Sequence, residues 1–309
     1  MKGSGTCGEE LNEVDTIIEK LTLISKINEC YKRITMTLNL TELLQQRYGT
    51  DAFDFNSTWN EYLAAILSHR SVRSYLPDPL PVGTLELLIA AAQSAATSSN
   101  LQTWSVVAIA SSERKARLAE LAGNQSHIRQ CPLFLVWLAD LARLSYVAEQ
   151  QGLPHAGLDY LEMFVMSAID ASLAAQNATI AAESLGLGTV YIGGIRNHPE
   201  QVAETLHLPP HLFAVFGLCV GYPDPEQLAA IKPRLPQQAV LHHETYRLEV
   251  QDEAIAQYNQ VMQSFYKDQQ MRVTGNWTEH SLKRVADAKS LNGRDRLREA
   301  LSNLGFRLY

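Results

Sequence analysis

An alanine-rich run over residues 160–185, closed by Gly186-Leu187-Gly188, limits what this chain can fold into more than any other stretch. It reads as one long helix, because the glycines behind it are a good C-terminal stop, and it delivers the chain into a strand over residues 189–193. Around that junction helical and strand patterns alternate. Residues 85–96 and 112–122 are helical, residues 104–110 and 133–139 are strands, Asn197 with Pro199 opens a helix to Leu206, and residues 213–220 form a buried strand. The pattern predicts an α+β protein whose helices cover a central sheet. After Pro223 strand signals are few, and the remaining helices and connections wrap over a body already built.

At 309 residues with 46% hydrophobic content, the chain can bury a substantial core, as one large domain with appendages or as two smaller ones. The longest charge-free stretch, residues 87–112, has the length to span a bilayer. Gln93, Thr97, Ser98, Ser99, Asn100, Gln102 and Thr103 break its apolarity, so no transmembrane helix is expected. Cys7, Cys30, Cys131 and Cys219 are scattered without metal-ligand or redox-motif spacing, and no signal peptide stands upstream, which favours a reducing cytoplasm. A formal net charge of -7 without a long basic stripe argues against nucleic acid as a partner.

Residues 1–57 differ from the rest. Leu11, Val14, Ile18, Leu21, Ile24 and Ile27 mark one face of a helix whose start is loaded with Glu9, Glu10, Glu13, Asp15 and Glu19, an acidity wrong for an organellar transit peptide. A second helical pattern covers residues 40–48 behind Met36, and a turn-rich link over 49–57 leads on. The expected organisation is a helical N-terminal extension over 1–57, dispensable for chemistry, followed by the main domain over 58–309.

Against the acidic background, His69-Arg70-Ser71-Val72-Arg73 packs two guanidiniums, an imidazole and a hydroxyl together. The cluster follows an amphipathic helix over 58–67, in which Thr58 and Glu61 have capping-box spacing. Arginine forks match the paired oxygens of a phosphate and Ser71 adds a short donor, so one terminal phosphomonoester would satisfy the set. The competing reading is a solvated last turn that complements the helix dipole.

Three further words carry chemistry. Tyr191-Ile192-Gly193-Gly194-Ile195-Arg196-Asn197 sets two glycines at a strand end, where the backbone can approach a flat ligand and offer N–H donors, or simply turn. No G-x-G-x-x-G opens the following helix, so it is not a dinucleotide fingerprint. Lys232-Pro233-Arg234-Leu235-Pro236 is stiffened by its prolines, which hold two cations on one side of an extended segment or make a rigid surface loop. Thr97-Ser98-Ser99-Asn100-Leu101-Gln102 supplies hydroxyls and amides, for a ligand or for capping.

Together these words resemble the FMN-dependent nitroreductases, and among them the oxygen-insensitive NADPH nitroreductase and flavin reductase group. The matching stretches are His-Arg-Ser-Val-Arg at 69–73, Ala-Thr-Ser-Ser at 96–99, Gly-Asn-Gln at 123–125 and Ala-Gln-Asn-Ala at 175–178. They continue with Ala-Ala-Glu-Ser-Leu-Gly-Leu-Gly at 181–188, Val-Tyr-Ile-Gly-Gly at 190–194, Phe-Gly-Leu-Cys-Val-Gly at 216–221 and Lys-Pro-Arg-Leu-Pro at 232–236. In order and spacing they cover the chain from about Tyr62 to its end.

The resemblance implies a nitroreductase-like fold with a central mixed sheet covered by helices, and a homodimer in which residues 249–309 wrap the partner and FMN sites lie at the subunit boundary. It implies that His69, Arg70, Ser71, Arg73, Lys232 and Arg234 hold the FMN phosphate and ribityl end, that Thr97, Ser99 and Gln125 hydrogen-bond the flavin, and that Tyr191, Ile192, Gly193 and Gly194 lie along its ring. By the same resemblance a reduced nicotinamide, NADPH or NADH, passes hydride to flavin N5 and leaves, and nitroaromatics, quinones or free flavin then take the electrons in a ping-pong cycle. Lys267 and Arg272 stand where relatives place the arginines that grip the NADPH phosphate. Thr97 replaces a usual serine, and Thr189 a usual glycine. Two rivals from other classes are an FMN storage or sensing protein without turnover, and a metal hydrolase built on His242-His243-Glu244, whose spacing lacks the helical i, i+4 pattern of ligands.

Overall fold

The computed structural model describes residues 40–49 and 59–309. The acidic helix expected over 11–27, and Thr58, lie outside the described residues.

β2 (Leu133–Asp140) is buried along its whole length, as an unbroken apolar strand is when it runs through the middle of a sheet. It pairs antiparallel with β1 (Trp104–Ile109) on one side and with β4 (Leu212–Gly221) on the other, and β3 (Gly188–Ile192) pairs antiparallel with β4 to give the order β1-β2-β4-β3. The parallel component among the described residues is an isolated bridge between Ser71 and Thr189, which lays the first basic segment along the outer edge of β3.

The period-2 alternation of the strands sends side chains to two cores. Phe134, Val136 and Leu138 face Leu118, Ala119, Ile128 and Val202, from α4 (Ser112–Leu121), α5 (Ser126–Gln130) and α8 (Pro199–Leu206). Leu135 and Trp137 face Leu88 and Ala92 of α3 (Thr84–Gln93) and Ala174, Ala175, Ala178 and Ala182 of α7 (Leu161–Ser184). The small alanine side chains let α7 lie close against the sheet. It ends as expected: Gly186 sits at φ 79°, and the Gly186 and Leu187 N–H groups donate to the carbonyls of Glu183 and Ala182.

Two expected caps differ. α2 (Glu61–Leu67) starts at Asn60, whose Oδ1 accepts from Leu63 N at 3.0 Å, so the Thr58–Glu61 capping box is not what begins it. At α8 the residue before Pro199 is His198, which makes no side-chain cap, while Asn197 closes a short 3-10 turn. α6 (Ala142–Gln151) follows β2, with the Arg143 N–H on Asp140 Oδ1.

α1 (Leu40–Tyr48), from the expected N-terminal extension, lies against the domain. Leu43 of α1 is fully buried with Ala64 and Ile231, and Arg47 is buried as well, so this part of the extension is packed into the body of the protein. At the other end, α9 (Asp252–Asp268) and α10 (Trp277–Arg284) pack through Tyr258, Met262, Tyr266 and Trp277. Leu301 of α11 (Leu297–Asn303) and Phe306 beyond it pack on Ala139, Leu141 and Phe213 of the same chain. Among the described residues no helix is long and apolar enough to cross a membrane.

Candidate functional site

Val72 anchors the first basic segment. Its side chain fills space that a side chain at Gly188 would overlap, and its N–H donates to Thr189 O at 2.9 Å. Just behind, Glu183 in the last turn of α7 accepts from Thr189 Oγ1 at 2.8 Å and pairs with His69 Nδ1 at 2.7 Å through the same oxygen. The departure at Thr189 therefore has a consequence: its hydroxyl helps fix the carboxylate that orients His69. Arg70 and Ser71 are half-buried, and Arg73 is exposed.

The second basic segment is brought to the first. Pro233 is buried and its carbonyl accepts from Tyr258 Oη at 2.9 Å, which pins the stiff Lys232–Arg234 stretch under α9. Lys232 is held below the usual lysine range by burial, then by Arg73 and Arg234, so the three cations act on one another. None of these three pairs with a carboxylate among the described residues. Arg47, which the sequence did not mark, links the two segments. It donates from Nη1 to Lys232 O (3.1 Å) and from Nη2 to Leu67 O (2.7 Å) and His69 O (2.9 Å), and its own carbonyl accepts from Arg234 N (2.8 Å).

A second group forms beyond β3. Gly194 is a glycine for a reason internal to the protein: a side chain there would overlap the Ala122 carbonyl and lie 2.6 Å from Gln125 Nε2. Gln125 itself donates to Ala122 O at 2.7 Å. Gly193 is more open, with Arg196 Nη2 3.4 Å and Arg294 Nη1 3.7 Å from where its side chain would begin. Arg196 also donates to the Val215 carbonyl. Burial and Arg294 lower the Arg196 pKa, and burial and Arg284 lower that of Arg294. Arg284 Nη1 is buried without a hydrogen-bond partner, and none of the three arginines has a carboxylate partner among the described residues.

Tyr191 and Ile192 point to opposite faces of β3. Ile192 is packed in the core, so only its backbone is on offer, whereas Tyr191 stands edge-on to Phe216 and its hydroxyl accepts from Thr179 Oγ1 at 3.0 Å. Burial pushes the Tyr191 hydroxyl up to about 12. The polar tract is a strained loop: Ser99, Asn100 and Gln102 have φ of 49°, 56° and 50°. It is held by Asp170, buried on α7, which accepts from Ser98 N, Thr103 N and Thr103 Oγ1. Thr97 precedes this loop and is half-buried, while Ser99 is exposed. Asp170 and Glu183 are 13 residues apart on one helix, or roughly 20 Å at its rise per residue, so Thr97 and Ser99 sit far from the basic segments within one chain. Lys267 and Arg272, at the end of α9 and beyond it, are exposed.

Comparison with known proteins gives concordant matches. The nitroreductase family model matches residues 66–222, and the model of that family's C-terminal domain matches residues 232–309. An FMN reductase (NADPH) of Bacillus subtilis is 42% identical over 213 residues, covering 68% of this chain and 84% of that one. An NADPH-flavin oxidoreductase of Vibrio harveyi is 39% identical over 207 residues, or 67% and 83%. Among solved structures, NfrA2 of B. megaterium superposes with a TM-score of 0.76 at 38% identity, covering 81% of this chain and 100% of that one.

Proposed function

The chain belongs to the nitroreductase family, and from that premise we propose that it is an FMN-dependent NAD(P)H oxidoreductase acting on nitroaromatics, quinones or free flavin. The observation that carries this reading is the convergence of Arg73, Lys232 and Arg234 beside Arg70 and Ser71, with Glu183 already taken up by His69 and Thr189. Arg73, Lys232 and Arg234, which have no carboxylate partner among the described residues, next to a hydroxyl, are the donor set a phosphomonoester dianion requires.

FMN bound there supplies hydride acceptance and donation at its N5. Everything else falls to this chain's own residues. Arg70, Ser71, Arg73, Lys232 and Arg234 bind the phosphate, and the Glu183 carboxylate keeps His69 turned into the same end. β3 rises about 13 Å from Gly188 to Ile192, so a ligand fixed at the Thr189 end meets the Gly193 and Gly194 backbone at the other. Thr179 holds the Tyr191 hydroxyl, so its ring stays packed on Phe216 and presents one edge to that end. Arg196, Arg284 and Arg294 receive the anionic part of the nicotinamide co-substrate, and the exposed Lys267 and Arg272 select for the extra phosphate of NADPH.

Thr97 and Ser99 complete the flavin contacts across a homodimer, and Gln125, beside Gly194, does so from the same chain. Leu161, Val165, Ile169 and Leu173 recur every fourth residue on α7 and are all more than 40% exposed, a stripe suited to a second copy, and it lies beside the Asp170 that holds the 98–103 loop. Residues 249–309 add to that interface. The free, buried Cys131 and Cys219 suit a reducing cytoplasm.

The test is an anaerobic titration of the purified protein. It should carry about one FMN per chain, and NADPH added under nitrogen should bleach its yellow colour in a stoichiometric step. Flavin that binds but is not reduced would make the protein a store or sensor of FMN, and a colourless protein that binds no FMN would remove the assignment.

A further inference from the structure

We propose that Arg47, from the N-terminal extension, is a positioning residue that clasps the two phosphate-binding segments at their working separation. The inference rests on the FMN reading above. It starts from a mismatch in length: NfrA2 is covered over its whole chain while about a fifth of this protein is left over, and the family model begins only at residue 66. α1 precedes that point, yet it is not an idle appendage.

One residue of α1 makes four bonds to the cradle. The Arg47 guanidinium takes the carbonyls of Leu67, His69 and Lys232, and the Arg47 carbonyl takes the N–H of Arg234. Leu67 and His69 lead into the first basic segment, and Lys232 and Arg234 are the second. Among the described residues Arg47 is what hydrogen-bonds to both segments, and they lie about 160 residues apart in the chain, so the spacing of their cations depends on what spans them. A planar guanidinium is suited to this, because its donors leave in fixed directions. Burial of Leu43 between Ala64 and Ile231 repeats the same bridge with an apolar side chain. The cations being held, Arg73, Lys232 and Arg234, repel one another, so without a clasp their segments would drift apart whenever the phosphate is absent.

The test compares FMN with riboflavin, which lacks the phosphate, by fluorescence titration of full-length apoprotein. Arg47→Ala should weaken FMN about tenfold or more, and riboflavin by less than about twofold. Arg47→Lys keeps the charge and most of the stem but not the fork, so it should lose most of the same FMN affinity. It also serves as the second variant if Arg47→Ala folds poorly. Full FMN affinity in Arg47→Lys would mean that only charge matters, and would overturn the clasp. Unchanged FMN affinity in Arg47→Ala, or equal losses for both flavins, would overturn it too. Failure of the underlying reading looks different: wild-type protein would bind the two flavins alike, and Arg234→Ala would change neither.

Discussion

Arg47 uses its guanidinium on three backbone carbonyls, and His69 pairs with Glu183, so the two segments that carry the first basic group are fixed by the residues around them. Beyond the far end of β3, Arg196 and Arg294 stand beside Gly193 with Arg284 acting on Arg294, none of them with a carboxylate partner among the described residues, and burial, then a neighbouring arginine, lowers the pKa of Arg196 and of Arg294. The first arrangement is preorganised, so a ligand that enters finds its donors in place and little entropy is lost on binding. In the second, Arg196 and Arg294 each rest on one backbone carbonyl, of Val215 and Leu291, and Arg284 Nη1 is buried without a hydrogen-bond partner, so positive charge is concentrated with donors left over for an anion that comes and goes. The difference fits a resident cofactor at one end of the strand and a co-substrate that comes and goes at the other.

The largest effect should come from the resident end. Arg70→Ala or Arg234→Ala should weaken FMN by about 100-fold, the loss of one or two charge-assisted hydrogen bonds, read by flavin fluorescence; full retention in both would erase the distinction. Arg294→Ala should keep FMN but raise KM for NADPH and NADH together, by about tenfold, with a weaker dependence on salt than wild type. Smaller still is the part played by the exposed cations. NADPH should be preferred over NADH by roughly tenfold in kcat/KM, about 1.4 kcal/mol, and Arg272→Ala should raise KM for NADPH about threefold while sparing NADH. Equal losses with both nucleotides would place Arg272 on the shared pyrophosphate.

Tyr191→Phe should leave the kinetics alone and act on stability, by about 1 kcal/mol at neutral pH for the lost bond to Thr179. Its effect is larger in alkali. The Tyr191 hydroxyl is raised from 10.0 to about 12 in the folded protein, so the neutral form is favoured there. The stability that this provides is complete below pH 10 and is lost as pH rises through about 12. Denaturant melts of Tyr191→Phe should therefore decline less steeply than wild type across that window.

What could be read in the sequence was what is local. The long helix and its Gly186 stop stand out because periodicity and a terminating glycine lie within one stretch, and the observed span, Leu161–Ser184, falls one residue inside the expected one at each end. His69–Arg73 and Lys232–Arg234 stand out because their cations are contiguous. Arg196, Arg284 and Arg294 did not, since they meet only when the chain after α10 folds back onto the turn behind β3. Arg47 was hidden for a similar reason: nothing in a short helical pattern says that one arginine will be buried against carbonyls from two distant segments. Gly194 is a legible residue with a second reason that only the fold reveals, since a side chain there would overlap the Ala122 carbonyl and Gln125 Nε2 of the protein itself. At α2, Asn60 took the cap that Thr58 was expected to supply, since either side chain can accept from the first turn and only the backbone path decides.

The division between the two basic groups is tested most directly by assaying Arg234→Ala and Arg294→Ala side by side, for bound FMN and for steady-state kinetics in excess FMN. Arg234→Ala should purify without flavin and regain activity when FMN is added, with KM for NADPH unchanged. Arg294→Ala should purify yellow, gain nothing from added FMN, and show the raised KM. If both variants lose FMN alike, or both keep it and share one kinetic defect, the two ends of β3 do not divide the work and the account is contradicted.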